Sequence, residues 1–374
     1  MDKISFPYRA SSHLVLLHVI HESGAWAKYG LDVNYDYQIM KNEAHDAVSK
    51  GDVEFVGGNH ISTYGHRARG DDWVYLGQTV NSYNMALCVR QDSGINTLAD
   101  LRGKRVGTRG NHPGLNDWLL LKQRSLDVDR DEVEIVKKVD GDISVEAQPE
   151  DGGADGGIRG ETAKQRSRVW HWVRDGKVDG ALLTPPASLF AEAAGLKIIQ
   201  LEPLPMIWFT TISSSMRFVQ SHPNLTDRFL KGIIEGIHFF KTERERSIKV
   251  IQERYTKEGQ MNYEQAAYVW QNTVSMLNPR IYPSMAAIAN VYEEAKRSDP
   301  DAHRINPMAL WDLHQIRHID DTGFIDRLYG ENRGRGHAHT HDPEKIAERA
   351  AEQKRIIETV KACGHLEGEH CECD

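Results

Sequence analysis

Apolar positions along the chain recur with two different spacings. Residues 4–8 and 31–35 alternate apolar and polar, which predicts short strands. Between them, residues 14–20 form an apolar stretch long enough for a helix, and Ser11-Ser12 just ahead of it supplies hydroxyl oxygens suited to the orphan N–H groups of a first turn. Gly24 and Gly30 bracket a further helical turn. A helix follows over 43–49, and 51–58 reads as a turn leading into a buried strand. Strand, helix, strand, helix predicts a parallel sheet covered on both faces.

The same alternation runs on through strands near 73–76 and 85–89 and a helical turn with a strand over 98–107. Residues 108–121 then close a strand with a glycine-containing loop and open a helix. That arrangement presents backbone N–H groups and a helix dipole to an anion, although a plain turn has the same sequence character. Residues 140–168 hold no aromatic residue and are rich in Gly, Asp and Glu, the composition of a loop or lid. A helix over 169–173 and a strand over 178–184 end at Pro185-Pro186. Helical spacing then dominates, over 225–255, 263–277, 284–295 and 310–329, with a last helix over 343–362 that is charged nearly all round.

With 374 residues, 40% of them hydrophobic, the chain suits two domains or one large α/β unit, and it is neither coiled coil, collagen nor wholly disordered. A net charge of −8 without a basic stripe argues against a nucleic-acid partner. The longest apolar runs, 14–20 and 206–212, fall short of the ~20 residues that span a bilayer, so no membrane insertion is expected. The first residues lack a signal-peptide pattern, and a cytoplasmic location is the expectation.

Several local phrases, in order, resemble the type II periplasmic-binding-protein-like family in its nitrate, sulfonate and thiamine-precursor branch. They are Glu22-Ser23-Gly24 with Gly30-Leu31-Asp32-Val33, Lys50-Gly51-Asp52-Val53-Glu54-Phe55, Asp92-Ser93-Gly94-Ile95 with residues 100–107, and residues 176–182. The resemblance implies a two-lobed α/β fold with crossing strands, C-terminal helices and a ligand cleft between the lobes. The expected division is a first part of lobe 1 over 1–89, lobe 2 over 90–205 with the 140–168 loop or lid, a return to lobe 1 with helices over 206–330, and a His/Cys-rich helical tail over 331–374. Most such proteins are solute receptors for ABC-type transporters. The pattern is also similar to the cytoplasmic aromatic sulfinate desulfinase-like enzymes, whose nucleophilic cysteine falls at Ser11, essential histidine at His45 and essential arginine near Phe55. Residues 60–69 resemble the substrate-histidine segment of iron-dependent pyrimidine synthases. The cysteine-rich motif of those enzymes falls over 205–211, where this chain has no cysteine.

Strand-end loops face the ligand in such sheets, which singles out candidates. Ser11 offers a nucleophile, with His45 or His60 as the base that activates it; equally, Ser11 caps the following helix and the histidines only hydrogen-bond a ligand. Arg9, Asn59, Arg109, Asn111, His112 and Thr184 form a polar set suited to a carboxylate, sulfonate or phosphate, unless Arg109 is simply solvated. Trp208, with Phe209, Trp170 and Trp172, provides either an aromatic wall or core packing. His13, His45, His60 and His112 all fall near predicted strand ends, without the tight spacing of a metal site. In the tail, Cys363, His365, His370, Cys371 and Cys373, with His337, His339 and His341 upstream, supply enough soft ligands for zinc, copper or nickel; a hydrophilic end that binds metal adventitiously is the alternative. No nucleotide cofactor is expected.

These features point to a lyase or hydrolase that cleaves a C–S, C–C or C–N bond of a small anionic aromatic or heterocyclic compound. A transporter-linked substrate-binding protein and a metal-handling protein are the alternatives.

Overall fold

A computed structural model of the protein describes residues 1–58, 60–108, 115–130, 132–136, 139, 169–184, 187–255 and 261–330. The 140–168 segment and the tail beyond 330 lie outside these residues. The chain divides into two compact units, Met1–Ile316 and Arg317–Asp374.

In the first unit, β1 (Asp2–Ser5) pairs in parallel with β2 (Leu31–Asn34) across helices α1 (Leu14–Glu22) and α2 (Ala25–Lys28). After α3 (Lys41–Lys50), a two-residue strand β3 (Val56–Gly57) joins β1 through single hydrogen bonds, Phe55 N to Ser5 O at 3.1 Å and Gly57 N to Pro7 O at 2.9 Å. Helix α4 (Ser62–Ala68) leads into β4 (Trp73–Tyr83), and both β4 and β3 run antiparallel to β10 (Leu204–Ser215). The second lobe carries the sheet order β7-β6-β8-β5-β9, from β5 (Ala86–Val89), β6 (Arg105–Gly107), β7 (Glu134–Val136), β8 (Gly180–Leu183) and β9 (Lys197–Gln200). Helices α5 (Leu115–Gln123), α6 (Val169–Arg174) and α7 (Ala187–Ala193) belong to this lobe. Two long strands connect the lobes: β4 hands the chain to β5, and β9 hands it back to β10.

The expectation of a parallel sheet holds only in part. β6 is parallel to β7 and β8, but β5 runs antiparallel to β8 and β9, and β10 antiparallel to β3 and β4. The crossing is the cause for β5, which enters the second lobe from β4 and runs against β8 and β9 on either side of it, while β9 keeps the direction of β8. For the same reason β5, placed by sequence at the end of the first lobe, is a strand of the second lobe's sheet.

After β10 the chain is helical. α8 (Met216–Ser221) is capped by the Ser215 side chain, which accepts from Phe218 N. α9 (Pro223–Thr242) opens with proline at its start, where no N–H is needed, and buries Phe229, Leu230, Ile233, Ile234, Ile237 and Phe240. The single helical stretch predicted over 225–255 is broken at Glu243 (φ −102°, ψ 64°) and resumes as α10 (Arg244–Arg254). α11 (Tyr263–Met276) and α12 (Met285–Ser298) follow, and α13 (His314–Asp321) runs past the end of the first unit. The helix predicted over 310–329 divides at Gly323, whose φ of +70° ends one helix and starts α14 (Phe324–Leu328) in the second unit. Ser11–His13 form a 3-10 turn that runs into α1, and His13 takes the position ahead of the helix.

Phe6, Trp26, Phe55 and Phe229 meet edge-on or stacked, with ring centroids 4.0–6.2 Å apart, and tie β1, α2, β3 and α9 together. This packing fixes the end of β1, and so the loop that follows it. Among the described residues, no helix is long and apolar enough to cross a membrane.

Candidate functional site

The loop leaving β1 carries Arg9 and His13 to the C-terminal ends of β1 and β3. Tyr8 bridges both Gln38 and Gly57, and Arg9 N donates to Gly57 O at 3.0 Å, so the backbone is held on two sides. Arg9 is 1% exposed and its Nη1 donates to Ile39 O at 2.6 Å. Gly58 makes this possible. At φ +121° a side chain there is strained, and its Cβ would stand 2.7 Å from Arg9 Cγ.

Opposite this loop, β10 departs from regular strand geometry. Phe209 has φ +65°, uncommon for a bulky residue, and the β4–β10 register shifts across it, between Trp208 and Thr211, as well as just before it, between Pro205 and Trp208. The distortion sets the Phe209 ring 5.5 Å from the His13 ring, which in turn lies 6.4 Å from His60. Trp208 is half-buried; its indole N–H donates to Ser82 O and its ring meets Tyr83 edge-on at 4.6 Å.

Hydrogen bonds below His60 assign its protons. Gln78 is fully buried, and its Nε2 donates to two backbone carbonyls, Val80 O and, at 2.7 Å, Trp208 O. Its Oε1 therefore accepts, and it does so from Thr211 Oγ1 at 2.6 Å. With that hydroxyl proton committed, Thr211 Oγ1 can only accept from His60 Nδ1, 2.8 Å away. The neutral His60 imidazole is thus held as the Nδ1–H tautomer, with the lone pair on Nε2. Tyr75 adds a hydroxyl bond to His60 O at 3.3 Å.

Of the residues singled out by sequence, Arg9, His13, His60 and Phe209 gather at these strand ends, with Thr211 and Gln78 bonded in a chain to His60. Thr211 and Gln78 lie on the crossing strands, where sequence shows only ordinary strand residues; the positive φ at Phe209 is visible only in three dimensions. His45 belongs to a separate cluster with Ser62, His66 and Trp73. Thr184 follows β8, and its carbonyl accepts from Ser188 N at 3.4 Å. Asn59, Arg109, Asn111, His112 and the tail ligands Cys363, His365, His370, Cys371 and Cys373 lie outside the described residues.

Two lobes, two long crossing strands and polar strand ends where the strands cross define a type II periplasmic-binding-protein-like fold. Residues 15–246, more than half of the chain, match the family described as NMT1/THI5 like, and the chain belongs to that family. Solved structures agree on the fold. The periplasmic sulfonate-binding protein SsuA of Methylobacillus flagellatus KT superposes with a TM-score of 0.60 at 13% identity, over 89% of this chain and 96% of that one. The alkanesulfonate-binding protein SsuA of Xanthomonas axonopodis pv. citri, bound to MOPS, gives 0.54 at 16% identity over 83% and 96%. A mutant of DszB in complex with biphenyl-2-sulfinic acid gives 0.54 at 16% over 85% and 98%. No curated protein matches the chain.

Proposed function

We propose that the chain binds a small organic anion of the sulfonate or sulfinate kind over the Arg9–His13–His60 cluster. One observation carries this reading: Arg9, 1% exposed, lies at the strand ends where the lobes cross, on the same loop as the buried His13, whose ring is 6.4 Å from that of the buried His60. A cation held in such low-dielectric surroundings attracts an anion far more strongly than one in water. The Phe209 ring beside His13 suits the organic part of such a ligand. MOPS and biphenyl-2-sulfinic acid, bound in two of the solved relatives, are both sulfur oxyanions on an organic group.

A second reading, that the chain is a lyase or hydrolase, is favoured by the tautomer of His60. An Nε2 lone pair backed by a fixed Nδ1–H bond is the arrangement of a proton acceptor. Hydrolysis of an aryl sulfinate to arene and sulfite uses such a group twice: it takes a proton from the water that forms the new S–O bond and returns it to the aryl carbon as the C–S bond breaks.

Calorimetric titration of the full chain with an alkanesulfonate, an aryl sulfinate and an aryl carboxylate, followed by assay for released sulfite, tests both. Binding without sulfite supports a receptor, and sulfite release supports the enzyme. Absence of binding by every member contradicts the proposal.

A further inference from the structure

A second polar cluster lies on the other side of the 58–62 segment. His45 projects from α3, His66 from the last turn of α4, and Asp71 from the tight turn before β4, where Asp71 N bonds back to His66 O at 3.2 Å. Asp71 Oδ2 lies 3.0 Å from His66 Nδ1 and 3.6 Å from His45 Nδ1. The three ligand atoms all fall within 4.8 Å of one another. A tetrahedral ion with bonds of about 2.0–2.1 Å sets its donor atoms about 3.3 Å apart, between the two separations found here.

The surroundings match what a metal ligand needs. Ser62 Oγ sits 3.1 Å from His45 Nε2 and orients the ring with its other nitrogen, Nδ1, toward Asp71. The His45 ring is further fixed by Trp73, at 4.8 Å between centroids. His45 is buried, whereas His66 and Asp71 are 28% and 29% exposed at the side chain, so an ion held by the three has a route to solvent and room for water. Neighbouring charges are engaged elsewhere: Arg67 donates to the backbone O of Asp71 at 2.8 Å, and Arg69 pairs with Asp299 and Asp301.

We propose that His45, His66 and Asp71 form a binding site for a divalent transition-metal ion of the zinc type. Two imidazoles and one carboxylate favour zinc, cobalt and iron over magnesium or calcium, and three protein ligands leave a coordination position for water or an exogenous ligand. The His45 and His66 rings stack at 3.6 Å with 4° between planes, so an ion shared by both lies out of each plane. Loading therefore tilts the exposed His66 ring away from its buried neighbour.

Cobalt titration of the full chain tests the site, because cobalt bound by imidazole and carboxylate gives visible d–d bands without the near-ultraviolet charge-transfer band of thiolate ligation by the tail cysteines. The parent chain is expected to bind one non-thiolate equivalent, displaced by zinc, beyond any taken by His337, His339 and His341, and both Asp71→Asn and His66→Ala are expected to bind one fewer. Asp71→Asn preserves side-chain shape at a partly exposed position, and far-ultraviolet circular dichroism confirms its fold. A parent chain with no non-thiolate equivalent, or a folded Asp71→Asn that binds as many as the parent, overturns the proposal.

Discussion

His60 Nδ1 lies 2.8 Å from Thr211 Oγ1, and the only proton of that hydroxyl is already given to Gln78 Oε1. The pair therefore fixes the imidazole from a strand 151 residues away in sequence. Replacing Thr211 by valine keeps the shape and removes the oxygen, leaving a buried N–H and a buried amide oxygen without their partner. A loss of about 1–3 kcal/mol is expected from Thr211→Val, against about 0.8 kcal/mol from Thr211→Ser, which loses only a methyl. Urea unfolding of the two variants measures the difference; equal stabilities contradict the assigned hydrogen-bond chain.

Gly58→Ala places a methyl 2.7 Å from Arg9 Cγ at a φ of +121°. Strain at such a backbone angle and overpacking each cost about 1–3 kcal/mol, so the variant is expected to lose at least about 2 kcal/mol and to weaken anion binding together with stability. Gly24→Ala, also at positive φ but with nothing within 4 Å of the added Cβ, is the control. It is expected to lose stability through backbone strain alone, with ligand affinity unchanged. Equal effects on affinity at the two positions count against the role of the Arg9 loop.

Cys88 is fully buried in β5, between Ala181 of β8 and Ile198 of β9. Burial pushes its thiol up from an ordinary 9.0 to about 12. Above pH 9 the unfolded chain releases a proton that the folded chain keeps, so this thiol makes stability fall as pH rises from 9 toward 12. The slope approaches about 1.4 kcal/mol per pH unit. Urea unfolding of the parent and of Cys88→Ala between pH 8 and about 10, below the range of the buried tyrosines, reads it directly. Parallel curves contradict the shift.

The architecture was legible in sequence because local phrases carry it. Gly30-Leu31-Asp32-Val33 becomes the turn into β2, and the 98–107 phrase becomes a short 3-10 turn and β6. Strand direction was not legible, since β5 reads locally like any buried strand and runs against its neighbours β8 and β9 only because the chain enters the lobe through it. Arg9 and His60 were visible as polar residues at strand ends. Phe209 was visible as part of an aromatic wall, but Gln78 and Thr211 were not, because what places them under His60 is the pairing of β4 with an irregular β10. His45 and His66 were also separable only in three dimensions: they are 21 positions apart in sequence, yet their rings stack face to face.

If an organic sulfur oxyanion binds over the Arg9–His13–His60 cluster, the buried Arg9 guanidinium carries the attraction. Calorimetric titration of the parent chain and of Arg9→Gln with an alkanesulfonate and an aryl sulfinate measures it, with far-ultraviolet circular dichroism establishing that the variant is folded. The parent is expected to bind at least one of the two, and folded Arg9→Gln at least about tenfold more weakly, about 1.4 kcal/mol, as expected when a charged partner of a bound anion is lost. Binding of equal strength by the two proteins, or none by the parent, contradicts the proposed anion site.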